Sequence, residues 1–535
     1  MSASSTASER VAGSPEARPA RQPLLAALVF VVGAASLGAE IAAARLLAPY
    51  FGASTVVWAN TIGVVLVALS VGYWLGGRYA DRHPSLRALC AVVLAAALLI
   101  AAIPFAARPF LGFSVDAFDT VSVGGFAGSL FGVLVLVAVP VTLLGAAAPW
   151  AVRLAVADVA RAGEVVGRLY AISTAGSLLG TMLAALVLIP LLGTQRTFLV
   201  FALALGLVGA AGLGWRYVAV PAALALALAM PVAAIKAADT GRVLYEAETT
   251  HQYVRVVERP DGARVLELNE GQAVHSLYRP GRYLTGDYWD GHLVLPFAAG
   301  PAPSVSRSRP PRRIAILGNA AGTVARAYGH FFPRTAVDAV EIDAELTEIG
   351  RRWFDLRNPR MEVFAEDARP WLKRSHGGYD SIMVDAYRQP YIPFYLATRE
   401  FFELARERLA PGGTVIVNVG HPEGAEELER VLGRTMAAAL GPVMRWPIEP
   451  TNTLLVAARR SPEGAAPRSP GDAAPLSARR LRATVSTLPP PLRPLARDAV
   501  AALGPRLPGG EVYTDDRAPV EWLVDSSLLE YASDE

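Results

Sequence analysis

Long apolar stretches fill the first half of the chain, and short alternating ones fill the second. Residues 23–236 contain repeated hydrophobic runs of roughly 18 to 24 residues, long enough to cross a bilayer as helices. Residues 237–535 instead alternate charged positions with short apolar runs, as in a water-soluble α/β protein. The pattern predicts an N-terminal α-helical transmembrane bundle followed by a soluble part.

Seven transmembrane helices are predicted in the first half. They lie near residues 24–44, 55–75, 86–107, 126–149, 170–192, 196–214 and 217–235, after a polar tail, residues 1–22, that is predicted to be disordered. Arginines are concentrated in the tail and in the second and fourth loops. This predicts a multi-pass protein of a bacterial-type plasma membrane with a cytoplasmic N-terminus. Seven crossings would leave the soluble part outside the cytoplasm, whereas one re-entrant or miscounted span would leave it inside.

Turn signals divide the soluble half into two domains. Residues 243–300 alternate apolar and polar positions around short turns, which predicts a small antiparallel β-sheet. A proline- and serine-rich linker, residues 301–312, leads into a Rossmann-like α/β domain, residues 313–460. A low-complexity linker, residues 461–480, and a C-terminal extension, residues 481–535, follow.

A strand, a glycine turn, a helix and a second strand open the predicted Rossmann-like domain, in RRIAILGNAAGTVARAYGHFFPRTAVDAVEID. Gly318 and Gly322 permit a tight turn at the strand tip, and the helix that follows presents free backbone N–H groups to a ligand. Glu341 ends the second strand about 20 residues on, where a carboxylate can accept two hydrogen bonds from ribose hydroxyls. The pattern predicts a nucleoside-binding site.

Two further strands of this domain end in acids. MEVFAEDA ends near Asp367, and SIMVDAY carries Asp385 just before a stretch crowded with tyrosine and proline. Because parallel strands bring their carboxyl ends to one edge of a sheet, Glu341, Asp367 and Asp385 are expected to face one cleft. Two interpretations of Asp385 remain open from these residues. It is either a base beneath an aromatic lid, or a cap for the next turn beside tyrosines that fill the core.

The composition of the chain limits the partners, cross-links and metal sites that can be expected. The chain is 53% hydrophobic, and 50 basic against 47 acidic side chains give a net charge of +3 without a basic patch interleaved with aromatics, so no nucleic-acid partner is expected. The single cysteine, Cys90, can form no intrachain disulfide. The seven histidines lack metal-ligand spacing, and no metal site is predicted.

The succession LGxxxGT, VEID, EDAR, YDxIxxDAY and LxPGG follows LNEGQAVHS and LTGDYWDGHLVLP. Together these motifs resemble the spermidine synthase (polyamine aminopropyltransferase) family, in the subgroup fused to transmembrane helices. The resemblance covers residues 243–440, with an echo in YTDDRAPVEWL at 513–523. It implies a methyltransferase-type Rossmann domain with decarboxylated S-adenosylmethionine as co-substrate and no covalently bound cofactor. It also implies a small-molecule amine acceptor and a self-associating protein in the lipid bilayer.

The resemblance also assigns roles to individual residues. It implies that Glu341 holds the ribose and that Asp367 with Ala368 lies at the adenine. Gln272 and Tyr288 are implied to line the substrate cleft. Asp385 matches the carboxylate that takes the proton from the attacking amine.

The chain departs from the family pattern at three places, two of which lose an acid. The third is the YHE of the small sheet, which is here Tyr288-Trp289-Asp290. The glycine turn usually carries an aspartate that binds the amine of the donor, and here that position is Ala321. A second acid, three residues after Asp385, is replaced by Arg388, which we expect to bind substrate. A fixed cation disfavours a polycationic acceptor and suits a carboxylate-bearing partner such as S-adenosylmethionine.

Three functions follow from these residues. The leading one is a membrane-bound aminopropyltransferase, whose catalytic competence the two lost acids put in question. The second is an S-adenosylmethionine-dependent methyltransferase. The third is a non-catalytic transporter or sensor that binds polyamine or nucleoside, because GGRYADR at 76–82 resembles a cytoplasmic loop of major facilitator transporters.

Overall fold

The computed structural model describes residues 21–51, 55–119, 124–156, 158–230, 241–269, 273–299, 309–387, 391–459, 476–524 and 526. Two predicted site residues, Gln272 and Arg388, lie outside the described residues. The predicted tail and the two predicted linkers lie largely outside them.

Contacts within the chain define two compact units. The first comprises Met1–Ala43, Ile62–Ala106 and Leu134–Val232, and the second comprises Ala44–Thr61, Ala107–Val133 and Ala233–Glu535. The small sheet and the Rossmann-like domain therefore belong to one unit.

The N-terminal region is helical, as its apolar runs predict. Its α-helices are α1 Arg21–Phe51, α2 Thr55–Arg82, α3 Leu86–Asp119, α4 Gly124–Leu136, α5 Ala138–Gly145, α6 Ala147–Ala155, α7 Ala162–Leu183, α8 Ile189–Leu192, α9 Thr194–Leu213 and α10 Ala219–Ala229. A π-helical turn, Ala184–Leu188, joins α7 to α8.

Glycine permits close approach of α1 and α7 in the first unit. A Cβ atom on Gly176 would lie 2.1 Å from the carbonyl oxygen of Phe30, and one on Gly180 would lie 2.1 Å from that of Ala34. Small residues at such a spacing let helix backbones touch, which is how helices associate in lipid.

Six helical segments are long and apolar enough to cross a membrane. They are Gln22–Ala48, Val57–Arg82, Leu86–Ala107, Ala138–Ala155, Val159–Leu192 and Thr194–Leu213. The predicted seventh span, residues 217–235, corresponds to a shorter apolar helix, Trp215–Ala229, and its last residues lie outside the described ones. The described part of the chain therefore contains six full-length candidates rather than seven.

The predicted small antiparallel sheet is present. Its strands are β1 Arg242–Glu248, β2 Tyr253–Glu258, β3 Arg264–Leu268 and β4 Val274–Tyr278, paired in chain order. Val254, Val256 and Leu266 on one face are buried with Leu346 and Ile349 of the following domain. This shared core ties the small sheet to the glycine turn of the Rossmann-like domain.

An eight-stranded sheet forms the Rossmann-like domain. Its strands are β5 Arg313–Leu317, β6 Ala336–Val340, β7 Met361–Phe364, β8 Tyr379–Val384, β9 Leu409–Gly420, β10 Val443–Glu449, β11 Asn452–Ala458 and β12 Gly504–Pro505. Its helices are α11 Thr323–Phe331, α12 Ala344–Trp353, α13 Ala368–Arg374, α14 Arg399–Arg408, α15 Glu427–Leu440, α16 Ala478–Thr484 and α17 Leu492–Ala502. The predicted fold class is confirmed.

Strand order explains how distant residues meet. The order is β12-β10-β11-β9-β8-β5-β6-β7, with the five strands from β9 to β7 parallel and the last three along the chain antiparallel. The carboxyl ends of parallel strands share one edge, so the residues that follow β5, β6 and β8 come together there.

The C-terminal extension belongs to the core of this domain. Leu481 of α16 and Leu492 of α17 are fully buried with the sheet, as are Tyr513 and Val520 on its other face. Helix α16 begins at Ala478, inside the stretch predicted as linker. The described residues 476–524 therefore help to build the domain.

Candidate active site

Asp385 lies immediately after β8, and its carboxylate is held by two side chains. Its backbone N–H donates to the carbonyl of Leu317 on the adjacent β5, at 2.9 Å. The Tyr288 hydroxyl donates to Oδ2 at 3.2 Å, and Asn418 Nδ2 donates to Oδ1 at 2.8 Å. The small-sheet domain thus contributes Tyr288 to the same carboxylate that the Rossmann-like strands present, as the family resemblance implies.

Burial determines the protonation states of Asp385 and Tyr288. Loss of solvation raises the pKa of Asp385 to about 6, although the hydrogen bonds from Asn418 and Tyr288 lower it. Burial and the Asp385 charge raise the pKa of Tyr288 well above its usual value, so this phenol stays protonated and donates. Asp385 is therefore an ionised carboxylate near neutral pH that gains a proton readily, as a proton acceptor in catalysis must.

The glycine turn brings the ends of β5, β6 and β8 into contact. Gly318 has φ +89°, and a Cβ atom there would lie 2.4 Å from the carbonyl oxygen of Asp385. Only glycine permits this approach. Gly322 also has positive φ, at +87°, and a Cβ atom there would collide with Leu356. The predicted glycine positions therefore serve backbone geometry.

Glu341 follows β6, and its carboxylate binds the backbone of the glycine turn. Its Oε2 accepts from the N–H of Ala320 at 2.8 Å, and its Oε1 accepts from that of Asp343 at 3.1 Å. Burial raises the pKa of Glu341 to about 7 in spite of these hydrogen bonds. A ligand with two hydroxyl donors would stabilise the ionised carboxylate.

Asn319 is the polar side chain of the glycine turn. It follows Gly318, is 5% exposed, and neither polar atom of its amide has a hydrogen-bond partner among the described residues. A buried amide without partners is costly, so this group is suited to a polar ligand. Ala321, in contrast, is buried with the apolar side chains of Leu346 and Ile349.

Asp367 caps the helix that follows β7. Its Oδ1 accepts from the N–H of Arg369 at 3.0 Å, and its Oδ2 accepts from the Tyr395 hydroxyl at 2.6 Å. Ala368 begins α13 and is buried. The acid expected at the adenine is thus also a structural cap that binds the aromatic stretch after Asp385.

Arg369 joins this cap to the C-terminal segment. Its guanidinium makes two hydrogen bonds to the Asp515 carboxylate, at 2.7 and 2.6 Å, and one to the carbonyl of Tyr395 at 3.0 Å. Thr398 also donates to Asp515, at 2.7 Å. Asp515 therefore holds in place both ends of the short segment that carries Tyr395.

The aromatic stretch after Asp385 is anchored at both ends. The Tyr387 hydroxyl donates to the carbonyl of Asn418 at 2.9 Å and accepts from the N–H of Gly420 at 2.6 Å. Tyr391 is buried, whereas Phe394 is half-exposed. Tyr387 therefore fixes the backbone at the end of β9, close to Asp385.

Sequence reasoning missed several of these residues. The motifs assign no role to Asn418 or Arg369, and Asn319 appears in them only as one residue of the glycine turn. Asn418 could have been found, because it is a polar residue inside the hydrophobic strand TVIVNVG. The others depend on strand pairing that the sequence does not display.

Part of the chain is similar in sequence to known proteins. Residues 302–448 match the family model described as the spermine/spermidine synthase domain. A probable polyamine aminopropyl transferase of Bifidobacterium longum is 35% identical over 198 residues, which cover 37% of this chain and 42% of that protein. A polyamine aminopropyltransferase of Vibrio vulnificus is 31% identical over 136 residues, covering 25% and 46%. The chain spans less than half the length of these curated relatives.

A solved structure is also similar. It is a crystal structure of a probable spermidine synthase from Corynebacterium glutamicum, with a TM-score of 0.37 and 18% identity, and the match covers 53% of this chain and 99% of that one.

The fold and the acids along one sheet edge define a Rossmann-type domain of the methyltransferase-like class. The match of residues 302–448 to the spermine/spermidine synthase domain shows which proteins of this class that part of the chain is similar to.

Proposed function

We propose that the soluble part transfers an aminopropyl group from decarboxylated S-adenosylmethionine to an amine acceptor. The observation that carries this proposal is the buried carboxylate of Asp385, held by Tyr288 and Asn418 beside a glycine turn that Glu341 grips. Glu341 binds the ribose and Asp367 with Ala368 contacts the adenine. Gln272 and Arg388 contribute to the substrate cleft.

The chemistry is a displacement at carbon. The amine lone pair attacks the propyl carbon bonded to the sulfonium, the carbon–sulfur bond breaks, and its electron pair passes to sulfur, giving neutral methylthioadenosine. The new nitrogen centre becomes cationic and passes a proton to Asp385. A free alkylamine has a pKa of about 10.4 and is protonated at neutral pH, so the acceptor nitrogen first loses one proton to solvent before its lone pair can attack. Asp385 orients the resulting neutral amine towards the propyl carbon.

Methyl transfer from S-adenosylmethionine is the second candidate. Ala321 supports it, because its burial among apolar side chains leaves the turn without the carboxylate that would pair with the donor amine. The two candidate functions give different products. The test is to incubate the purified full chain with putrescine and either decarboxylated S-adenosylmethionine or S-adenosylmethionine, and to identify the nucleoside released. Methylthioadenosine is expected, whereas S-adenosylhomocysteine would favour methyl transfer. Release of neither would overturn both.

We also propose that the six apolar helices anchor the chain in a membrane with a cytoplasmic N-terminus. Six crossings would return the chain to the cytoplasm, and a seventh by Trp215–Ala229 would take it out again. The native Cys90 is buried, so a Ser5→Cys variant gives a clean label. Maleimide labelling of this variant is expected in inverted vesicles and not in intact cells. The opposite pattern would contradict this orientation.

The link between Arg369 and Asp515 should support nucleoside binding. Replacing Asp515 by asparagine removes the charged acceptor of two hydrogen bonds from Arg369, and so loosens the guanidinium that donates to the Tyr395 carbonyl. We expect methylthioadenosine to bind about 3- to 10-fold more weakly, a modest loss because both side chains are partly solvated. Calorimetry on the full chain in detergent measures it.

Asp516→Asn is the matched control, since this neighbouring aspartate is exposed. It should leave the dissociation constant unchanged. Equal effects of the two substitutions would show that the Asp515 contacts are irrelevant to binding.

A further inference from the structure

The turn between β10 and β11 contacts both residues whose side chains hold Asp385. Strand β10 ends at Glu449 and β11 begins at Asn452, and these two residues pair across a two-residue turn. The Glu449 carboxylate accepts from the backbone N–H of Tyr288. Asn452 Nδ2 donates to Asn418 Oδ1 at 3.0 Å. The tip of this hairpin is thus linked to Asp385, the candidate base, through Tyr288 and also through Asn418.

The contact from Asn452 matches the orientation that Asp385 requires of the Asn418 amide. An ionised carboxylate can only accept, so Asn418 Nδ2 faces Asp385 and Asn418 Oδ1 accepts from Asn452 Nδ2 at the other end of the amide. Asn452 Oδ1 accepts from the Thr451 hydroxyl at 3.3 Å. In the flipped orientation, the Asn418 carbonyl oxygen would be directed at the carboxylate and would repel it.

The backbone around this pair is also held. Asn452 lies opposite Gly420 in the β9–β11 register, and the N–H of His421 donates to the carbonyl of Thr451 at 2.9 Å. Gly420 in turn donates to the Tyr387 hydroxyl. The hairpin tip is therefore joined to the end of β9, from which Asn418 projects.

We propose that Glu449 and Asn452 are positioning residues, which hold Tyr288 and Asn418 so that both donate to Asp385 and keep its carboxylate in the orientation that receives the proton from the amine. This inference rests on the proposed transferase function, because it describes how that site keeps its base oriented. Neither Glu449 nor Asn452 contacts the Asp385 carboxylate directly in the structure.

Several ionisable groups surround Asp385. Tyr288 and Tyr387 approach it directly, and both stay protonated because burial raises the pKa of each phenol. Glu449 lies behind Tyr288, with Asp287 and Asp290 near it, and burial raises the pKa of Glu449. A substitution at Asn452 leaves all of these charges in place, so among the groups that reach Asp385 it changes the hydrogen bonding of Asn418.

A double-mutant cycle tests the Asn452 route. The variants are Asn418→Ala, Asn452→Ala and the combination, made in the full chain. We expect kcat to fall about tenfold in Asn418→Ala and about threefold in Asn452→Ala, with KM for the donor unchanged. The combination should be no worse than Asn418→Ala, because Asn452 acts through Asn418. Additive losses would overturn the proposal.

A direct titration of Asp385 makes the test independent of turnover. Carbon-13 carboxyl signals of aspartate-labelled protein, assigned by the signal lost in Asp385→Asn, give the pKa of this group. Both single variants should raise it, because a hydrogen bond to the ionised form is lost or misoriented. An unchanged value in Asn452→Ala would sink the inference, even if the wild-type protein proved to have no transferase activity.

A second double-mutant cycle tests whether Glu449 acts through Tyr288. Glu449→Ala should lower kcat in the wild-type background and have no further effect on kcat in Tyr288→Phe, which already lacks the hydroxyl. Glu449→Gln keeps an acceptor oxygen and should restore most of the activity. Methylthioadenosine binding should stay within about twofold throughout, and a general loss of binding would indicate a folding defect and refute a positioning role. Absence of methylthioadenosine production by the wild type would instead refute the transferase function alone.

Discussion

Replacing Asp385 by asparagine is expected to lower the rate of aminopropyl transfer by about 100- to 10,000-fold, the usual contribution of a positioned proton acceptor. Asparagine keeps the size of the side chain and its carbonyl can still accept from Tyr288 or Asn418, but it cannot receive a proton from the attacking amine. Single-turnover formation of methylthioadenosine by the full chain measures the loss without interference from product release.

Nucleoside binding provides the control for this variant. Asp385 is not among the groups that hold the glycine turn through Glu341, so the dissociation constant of methylthioadenosine should change by no more than about twofold. Retention of more than about a tenth of the wild-type rate would exclude Asp385 as the proton acceptor. Asp385 would then have only the structural role of capping the next turn.

Replacing Glu341 by alanine is expected to weaken methylthioadenosine binding at least about 100-fold. The carboxylate is proposed to accept two ribose hydroxyls, and charge-assisted hydrogen bonds contribute roughly 1.5 to 3 kcal/mol each. The substitution also leaves the N–H of Ala320 unpaired, in a residue with φ +46° that already has a strained backbone. Calorimetry on the full chain gives the affinity, and thermal unfolding reports whether the turn has collapsed. Binding that survives with unchanged affinity would move the nucleoside site elsewhere.

The same binding should depend on pH in a defined direction. Because burial raises the pKa of Glu341 to about 7, the free protein carries a proton there at pH 5 and 6. Ribose hydroxyls favour the ionised form, so binding below that pKa must expel the proton. Affinity should therefore rise by up to about tenfold per pH unit between pH 5 and 7 and level off above. A Glu341→Gln variant should lose this dependence, and a flat profile in the wild type would contradict the assignment.

The sequence predicts the architecture well where a regular pattern of apolar and polar residues marks a strand and an acid marks its end. Alternation of apolar and polar positions gives the small sheet, and a strand that ends at Glu341 or Asp385 gives the ligand edge. The helical first half follows from hydropathy. The shortness of Trp215–Ala229 does not, because an apolar stretch shows its composition rather than where the helix ends.

The environment of the site is less accessible from sequence. Asn418 and Asn452 are 34 residues apart and meet only because β9 and β11 pair in one particular register. Asp515 reaches Arg369 across 146 residues. Such contacts depend on strand order and on the packing of the C-terminal segment. Motifs therefore identify the acids but not the amides and arginines that orient them.

The bond from Arg369 to Asp515 has a consequence for biosynthesis. Ribosomes add residues in order, so the glycine turn, Glu341, Asp367 and Asp385 all emerge before the partner that fixes the Tyr395 segment. The emerging domain therefore has its acids in place while this segment still lacks its tether. Nucleoside affinity should mature only once translation has passed residue 515 and the last apolar residues have packed.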